Sequence, residues 1–498
     1  MCKPTSILIP GLLLCVLLSG CATYKSETEQ LRSSWAAGNI EGAYDEATSG
    51  ANDDTESVDI VIWRLEEATA QRYLNNFSDS NVVFGQAGEW ISRYDSEAEV
   101  SLLDETEANF TNQSFLPYTG YYYDRIMMNT YCALNSLQMG NVDEMRVFLN
   151  RAYESQENAV YENAADIEKA EEVARQESAK AESSNANDAY NVDKALDDKK
   201  FNSEITQHYQ YLKDYRVYAD YVNPYSVFID GLFSLTNSME QNDLERARKN
   251  LERVSSMVPG NTYLQQDLQT ADQILGGASF EPTTYVIFET GMAPSRDQIR
   301  IDIPLFVVTQ SVPYVGAAFP QLKFNDNYVS ALNVKAAGTS YRTQVVCDMD
   351  AVVATEFDNR LPLVITKTLI STGTKALTQW ALQEAVKNNS YAYWGVMVAG
   401  TIYQAAMNDA DLRTWVTLPK QFQYCRLPTP ADRKITISAA GTGMTQTIDL
   451  VPGTVNLVYV KSNSQYCPLM IQQNSLIPLT PVEVKQPTSA PAESVAQL

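Results

Sequence analysis

Histidine is nearly absent: the chain of 498 residues has one, His208. That shortage excludes multi-histidine zinc sites and two-histidine iron sites, and it restricts Ser-His-Asp or Cys-His catalysis to His208 alone. Basic residues are scarce as well, 37 Lys plus Arg against 61 Asp plus Glu, for a formal charge of −24. A surface of that sign neither releases counterions from nucleic acid nor seeks anionic lipid through basic residues. Glycine and proline together occupy only 42 positions while 45% of residues are apolar, so most of the chain can bury a core. The seven cysteines contain no C-x-x-C spacing, which removes thioredoxin and zinc-ribbon chemistry. G-x-S-x-G, P-loop, H-E-x-x-H and EF-hand patterns are also missing. The reading is of a chain that is not an enzyme, with no catalytic, cofactor-binding or metal-ligating residue to name. The alternative is a carboxylate-dependent enzyme acting on glycan or peptidoglycan, since 61 acidic residues leave room for a carboxylate pair, although the sequence singles out none.

What is present begins at the N-terminus. Lys3 precedes an apolar run, Ile7 to Leu18, and then Ser19-Gly20-Cys21. As a helix the run spans roughly 18 Å, short of a ~30 Å hydrocarbon core but suited to a signal peptide. Leu18-Ser19-Gly20-Cys21 resembles the bacterial lipobox, which makes residues 1–20 a lipoprotein signal peptide and Cys21 the lipidated N-terminus, with residues 21–30 as a polar tether. Ala22, rather than Asp, after the cysteine resembles the outer-membrane sorting pattern. The expected location is therefore the cell envelope, on the outer membrane and facing the periplasm, with the membrane held through lipid rather than charge.

Residues 31–280 show helical periodicity. Gly38-Asn39, Gly140-Asn141 and Asn242 each stand before a stretch with small or apolar residues at i, i+4 and i+7, as in Met145, Leu149 and Ala152. These segments resemble the second helices of tetratricopeptide repeats. Asn141 with Glu144, and Asn242 with Glu245, read as capping boxes. Ile60 to Asn75 and Asn81 to Ile91 make a further pair. Residues 153–215 interrupt the array with an Ala-, Glu- and Lys-rich stretch read as a solvated helical insertion, broken near Ser183 to Asn187, in which His208 is a surface residue. Tyrosines cluster at Tyr121, Tyr122, Tyr215, Tyr218 and Tyr221. One reading is a partner-binding surface; the other is packing between helices with the hydroxyl at the edge. Cys132 reads as a buried free thiol.

From residue 281 to 480 the period changes to two. Tyr285-Val286-Ile287-Phe288, then Ile299, Ile301 and Ile303, and later Ile435, Ile437, Ile448, Leu450, Val455, Leu457 and Tyr459 mark strands. The fold class is α+β: a TPR-like α-helical array followed by an antiparallel β domain with two or three helices. Those helices are Asp350 to Leu361, restarting at Pro362 and running to Gln383, and Tyr391 to Met407. The latter is 17 uncharged residues read as a buried helix rather than a membrane span. Cys425 and Cys467 are a candidate disulfide pair. Residues 481–498 read as a disordered tail.

One segment carries a sharper likeness. Asp411-Leu412-Arg413-Thr414-Trp415-Val416-Thr417-Leu418-Pro419 resembles the D-x-R-x-W-x-x-L-P signature of an uncharacterised family of bacterial envelope lipoproteins. Glu289-Thr290-Gly291-Met292-Ala293-Pro294 resembles that family's E-x-G-x-A-P stretch, and Leu361-Pro362 with Lys375 partly resembles its middle helix. The resemblance implies layout and location, and company with lipoprotein regulators of peptidoglycan synthesis, without an activity. The residues themselves suggest structure: Arg413 pairs with Asp411 or another carboxylate, and Trp415 anchors a helix-to-strand connection. The functional expectation is a lipid-anchored scaffold or adaptor that binds protein partners in the envelope through its helical repeats.

Overall fold

A computed structural model describes residues 24–52, 57–101, 114, 116–183, 190–306, 314–386, 388 and 409–479. The signal-like start, Cys21, the uncharged stretch 391–407 and the tail 481–498 lie outside the described residues.

The chain opens with a short turn of helix, α1 (Tyr24–Glu27), followed by α2 (Glu29–Ala37), α3 (Ile40–Asn52), α4 (Ile60–Tyr73) and α5 (Phe77–Ser101). Next come α6 (Tyr122–Gln138), α7 (Val142–Ser183), α8 (Val192–Leu196) and α9 (Lys199–Tyr209), then α10 (Pro224–Thr236), α11 (Gln241–Met257) and α12 (Thr262–Leu275). From α2 to α7 each helix packs on the next, as do α10, α11 and α12. The turns follow from local chemistry. Gly140 takes a left-handed φ of 74°, where a Cβ would be strained. Asn141 Oδ1 then accepts the Glu144 N–H at 3.2 Å while its Nδ2 reaches Glu144 Oε2 at 3.1 Å. Between α4 and α5, Asn75 takes the left-handed role at φ 67°. The α11 start differs from the expected Asn242–Glu245 box. Glu240 is the cap and Asp243 its reciprocal partner, because Asp243 is also held by Arg146 of α7.

The described residues within 153–215 are largely helical, in α7, α8, α9 and the 3₁₀ turn Gln210–Tyr215, while residues 184–187 of the break expected near Ser183 lie outside the described residues. α7 runs unbroken for 42 residues, about 63 Å at helical rise, and carries the insertion as a continuation of the array. His208 is exposed on α9.

The strand-bearing stretch contains β1 (Thr283–Thr290), β2 (Ser295–Pro304), β3 (Tyr314–Lys323), β4 (Leu332–Ala336), β5 (Thr339–Arg342) and β6 (Gln344–Asp348), then helix α13 (Met349–Val386). After it come β7 (Gln421–Pro428), β8 (Lys434–Ala439), β9 (Thr445–Asp449), β10 (Val455–Ser462) and β11 (Met470–Ile477). Three sheets result: β11-β10-β1-β7-β6, the hairpin β2-β3, and β5-β4-β8-β9. All pairings are antiparallel except β1 with β10, which run parallel with Glu289 opposite Lys461. Both strands are buried at every residue, as the uninterrupted apolar run in β1 requires of a strand covered on two faces. One face of this sheet meets the array: Tyr225 of α10 stacks on Phe422 at 3.7 Å, and Phe228 lies 4.4 Å from Tyr424. On the other, Gln423 donates to Ser330 O at 3.0 Å and accepts from Thr343 at 2.8 Å.

The helical and strand-bearing stretches share one continuous hydrophobic core running from Tyr24 to Leu476. Two expectations need correction. α13 is one helix with Pro362 inside it, where two were expected; it is held along its length by α7, β3 and the 3₁₀ turn Gln210–Tyr215. Cys425 and Cys467 are free, buried thiols, because Cys425 lies opposite Val286 within the sheet while Cys467 packs against Gly38 at the end of α2. Cys132 is likewise free and buried.

Gly291 is where β1 turns away from the sheet at φ 71°. A Cβ there would stand 2.6 Å from Tyr328 Cβ and 3.0 Å from Lys420 Cβ. Gly291→Ala is therefore expected to destabilise the chain by about 2 kcal/mol or more, read as a lowered midpoint in urea denaturation. An unchanged midpoint would contradict the packing of this turn.

Candidate functional site

α4 is the helix on which the chain converges. Thirteen of its fourteen residues are buried, among them Glu66, Glu67 and Arg72. Charged groups survive burial only when paired or hydrogen-bonded, and α4 finds its partners across the molecule. Glu66, Thr69 and Tyr73 recur at i, i+3 and i+7 and so share a face. Glu66 accepts the backbone N–H of Val416 at 2.7 Å and of Thr417 at 3.2 Å, and the Thr417 hydroxyl at 2.6 Å. The Trp415 indole donates to Thr69 Oγ1 at 3.0 Å and to Thr417 Oγ1 at 2.9 Å. Tyr73 donates to Glu289 at 2.9 Å, and Tyr459 donates to the other oxygen of the same carboxylate.

The signature segment is thus a strap laid on α4. Arg413 is its clamp: Nε and Nη2 fork onto Asp411 at 2.9 Å each, while Nη1 reaches Asp59, just before α4, at 2.9 Å and Leu116 O at 2.8 Å. Leu418 and Pro419 are buried at its end. The two resembling motifs meet here. The Ala293 N–H donates to Leu418 O at 2.8 Å, and the Lys420 N–H to Thr290 O at 3.0 Å. Lys420 then ion-pairs with Asp350 at the head of α13. Of the residues singled out in the sequence, Asp411, Arg413, Trp415, Leu418 and Pro419 are brought together, as a structural seam.

The five tyrosines are not brought together as an open surface, and this corrects the partner-surface reading. Tyr121, Tyr122 and Tyr221 are buried; Tyr215 and Tyr218 are half-buried. Tyr121 stacks on Tyr123 beneath the Arg296 guanidinium, which lies 3.9 Å from its ring. Tyr122 and Tyr221 pack edge to face at 5.3 Å, Tyr215 stacks on Phe324 at 4.4 Å, and the Tyr218 hydroxyl accepts the Asp348 N–H at 3.0 Å. Flat rings with a polar tip suit a seam that is apolar in the middle and hydrogen-bonded at its edges.

Sequence reading missed the charges that do most of the joining. Glu356 of α13 accepts the N–H groups of Tyr122 and Tyr123 at 2.8 and 2.9 Å, filling the donors that the first turn of α6 leaves open. Asp267 of α12 takes the hydroxyls of Tyr285 and Tyr424 at 2.7 Å each and Arg426 at 2.8 Å. Lys461 is fully buried without a hydrogen-bond partner, 3.9 Å from the centre of the Tyr73 ring; burial and the neighbouring Arg72 cation push its pKa well down. The available signal was charge inside apolar runs: Glu66, Glu67 and Arg72 within Ile60 to Tyr73, and Lys461 directly after Val455 to Val460.

Chemically, the carboxylates of the site are held by donors of the chain itself. Burial raises the carboxyls of Glu66, Asp124 and Asp350 to about 7, each partly offset by its hydrogen-bond donors. Those donors are fixed groups of the chain: the strap for Glu66, Tyr118 and the Tyr121 N–H for Asp124, Lys420 for Asp350. Among the described residues, no group of three His, Cys, Asp or Glu side chains is placed to hold a metal ion.

Two outcomes follow. Arg413→Met strands Asp411 and Asp59, so denaturant unfolding should show a loss of about 3 kcal/mol; retention of full stability would remove the clamp from the account. The pH dependence has a definite sign. A carboxyl whose folded pKa is raised favours the folded state fully below its unfolded pKa, and that stability is lost as pH rises through the folded value of about 7. Lys461, with its pKa depressed, works in the opposite sense. The comparison with Glu66→Gln isolates the Glu66 contribution: the variant's melting temperature should fall less steeply between about pH 5 and about pH 8. Parallel curves would show that Glu66 does not titrate there.

No protein-family model matches the chain, and neither the curated proteins nor the solved structures compared with it give a match.

Proposed function

We propose that the chain is a scaffold or adaptor of the cell envelope, attached through lipid on Cys21 to the outer membrane on its periplasmic side, that binds protein partners through its helical array. Lipidation and location rest on the lipobox-like start. The observation that carries partner binding is the outer side of α7. This helix is fastened to a body whose halves share one core, yet it exposes Tyr153, Val160 and Tyr161 to solvent, with Tyr161 76% exposed. Tyrosine offers large contact area at low entropic cost, and a rigid helix presents it without ordering a loop. Among the described residues, no helix is long and apolar enough to cross a membrane.

Two measurements test it. Cys21→Ser should move the protein from the membrane to the soluble fraction, and a variant that remains membrane-bound with unchanged mobility ends the lipoprotein reading. A photo-crosslinking residue at Tyr161 in intact cells should give reproducible protein adducts, whereas the same residue at the exposed Thr447 of β9 should not. Equal or absent crosslinking at the two positions sinks the adaptor reading.

A further inference from the structure

Residues 21–30 read in the sequence as a polar tether, yet the folded body already begins at Tyr24. Tyr24 is buried: its hydroxyl donates to Thr414 O at 3.2 Å, and its ring meets Trp63 edge to face at 5.8 Å. Lys25 pairs with Asp297 of β2 at 2.9 Å, and the buried Thr28 hydroxyl donates to Tyr24 O at 2.8 Å. The hold continues along α2. Leu31 and Trp35 are fully buried, and Trp35 lies 4.4 Å from Tyr73. The stretch after β10 fastens the end of the helix, with Asn463 donating to Trp35 O at 3.0 Å and Ser464 to Ala36 O at 2.8 Å. Peeling α1 and α2 away to lengthen the tether would return Tyr24, Leu31 and Trp35 to water, which the hydrophobic effect opposes.

The leash that remains runs from Cys21 to Tyr24, three residues. Whatever their conformation, covalent geometry limits their span to about 11 Å. The acyl chains of a lipidated Cys21 enter the hydrocarbon, so the cysteine itself stays in the headgroup layer, roughly 5–8 Å thick on each side. Once that depth is subtracted, only a few ångströms separate the headgroups from Tyr24.

We propose that the protein stands on the bilayer surface instead of hanging from it, with the face around Tyr24 turned to lipid headgroups. The proposal rests on the lipid-attachment reading and adds a posture to it. Beside the root at Tyr24 are the exposed Ser26, Glu27 and Glu29 and the half-buried pair Lys25 and Asp297. Three carboxylates against one lysine suit a zwitterionic surface and not an anionic one. The root is also continuous with the strap, since Tyr24 is bonded to Thr414, so the posture is set by the same seam that joins the array to the sheet.

The test reconstitutes the full-length lipidated chain into phosphatidylcholine vesicles containing a nitroxide-headgroup lipid, which quenches a fluorophore only near contact. A fluorescent amino acid replaces the exposed Glu29. A companion chain carries the same label and about twenty Gly/Ser residues inserted between Ala22 and Thr23, a flexible spacer with a root-mean-square span of roughly 25 Å. The insertion precedes the folded body, so the two melting temperatures should agree. Both chains should float with the vesicles, and quenching should be about threefold or more stronger with the native leash. Chains that float but are quenched equally overturn the posture and leave lipid attachment standing. Chains that do not float end the lipid-attachment reading and this inference with it.

Discussion

The structure depends on getting charges out of water without stranding them. α4 lies at the centre of the array with two glutamates and an arginine buried, and the strap from Asp411 to Lys420 is what makes that tolerable. A buried carboxylate such as Glu66 is expensive, and an ion pair rarely repays the whole cost. Glu66 is instead met by two backbone N–H groups that the strap, being neither helix nor strand, has free to give. Arg413 compensates Asp411 and Asp59 together and fixes where the strap begins. Further round the same seam, Glu289 of β1 takes donors from α4 and β10, Glu356 of α13 takes donors from α6, and Asp267 of α12 takes donors from β1 and β7. The apolar core supplies the driving force, and these polar joints select one way of assembling it.

This explains why the molecule is not a repeat array with an appendage. A free-standing solenoid buries its apolar stripes against its neighbours alone. Here α4, α10 and α12 also bury a face against the five-stranded sheet, so neither part retains a complete surface without the other. The tyrosines are the material of that boundary. Their rings fill it, and the hydroxyls of Tyr73, Tyr285, Tyr424 and Tyr459 satisfy its carboxylates.

What was legible in the sequence was local. The turn at Gly140 with the Asn141 cap, the α4–α5 pair, the alternating strands and the tie between Arg413 and Asp411 follow from residues within a few positions of one another. What was not legible depends on distant partners. Asp243 rather than Glu245 completes the α11 cap because Arg146 draws it. The parallel pairing of β1 with β10 leaves no mark, since a period of two says which residues share a face and not which neighbour they meet. The tyrosine cluster at positions 118 to 225 looks the same in sequence whether it faces a partner or a seam. The uncharged stretch 391–407 falls outside the described residues.

The parallel pairing also sets an order of events. β1 and β10 neighbour each other in the sheet although Thr290 and Val455 are separated by most of the strand-bearing stretch, so the central sheet cannot close until nearly the whole chain is present. Contacts of such separation are slow to form. A chain delivered from its N-terminus has α4 in place long before the strap arrives to cover it. During that interval Glu66, Glu67 and Arg72 are solvated charges on an otherwise sticky helix. The residues that are costly in the finished molecule keep the unfinished one from aggregating.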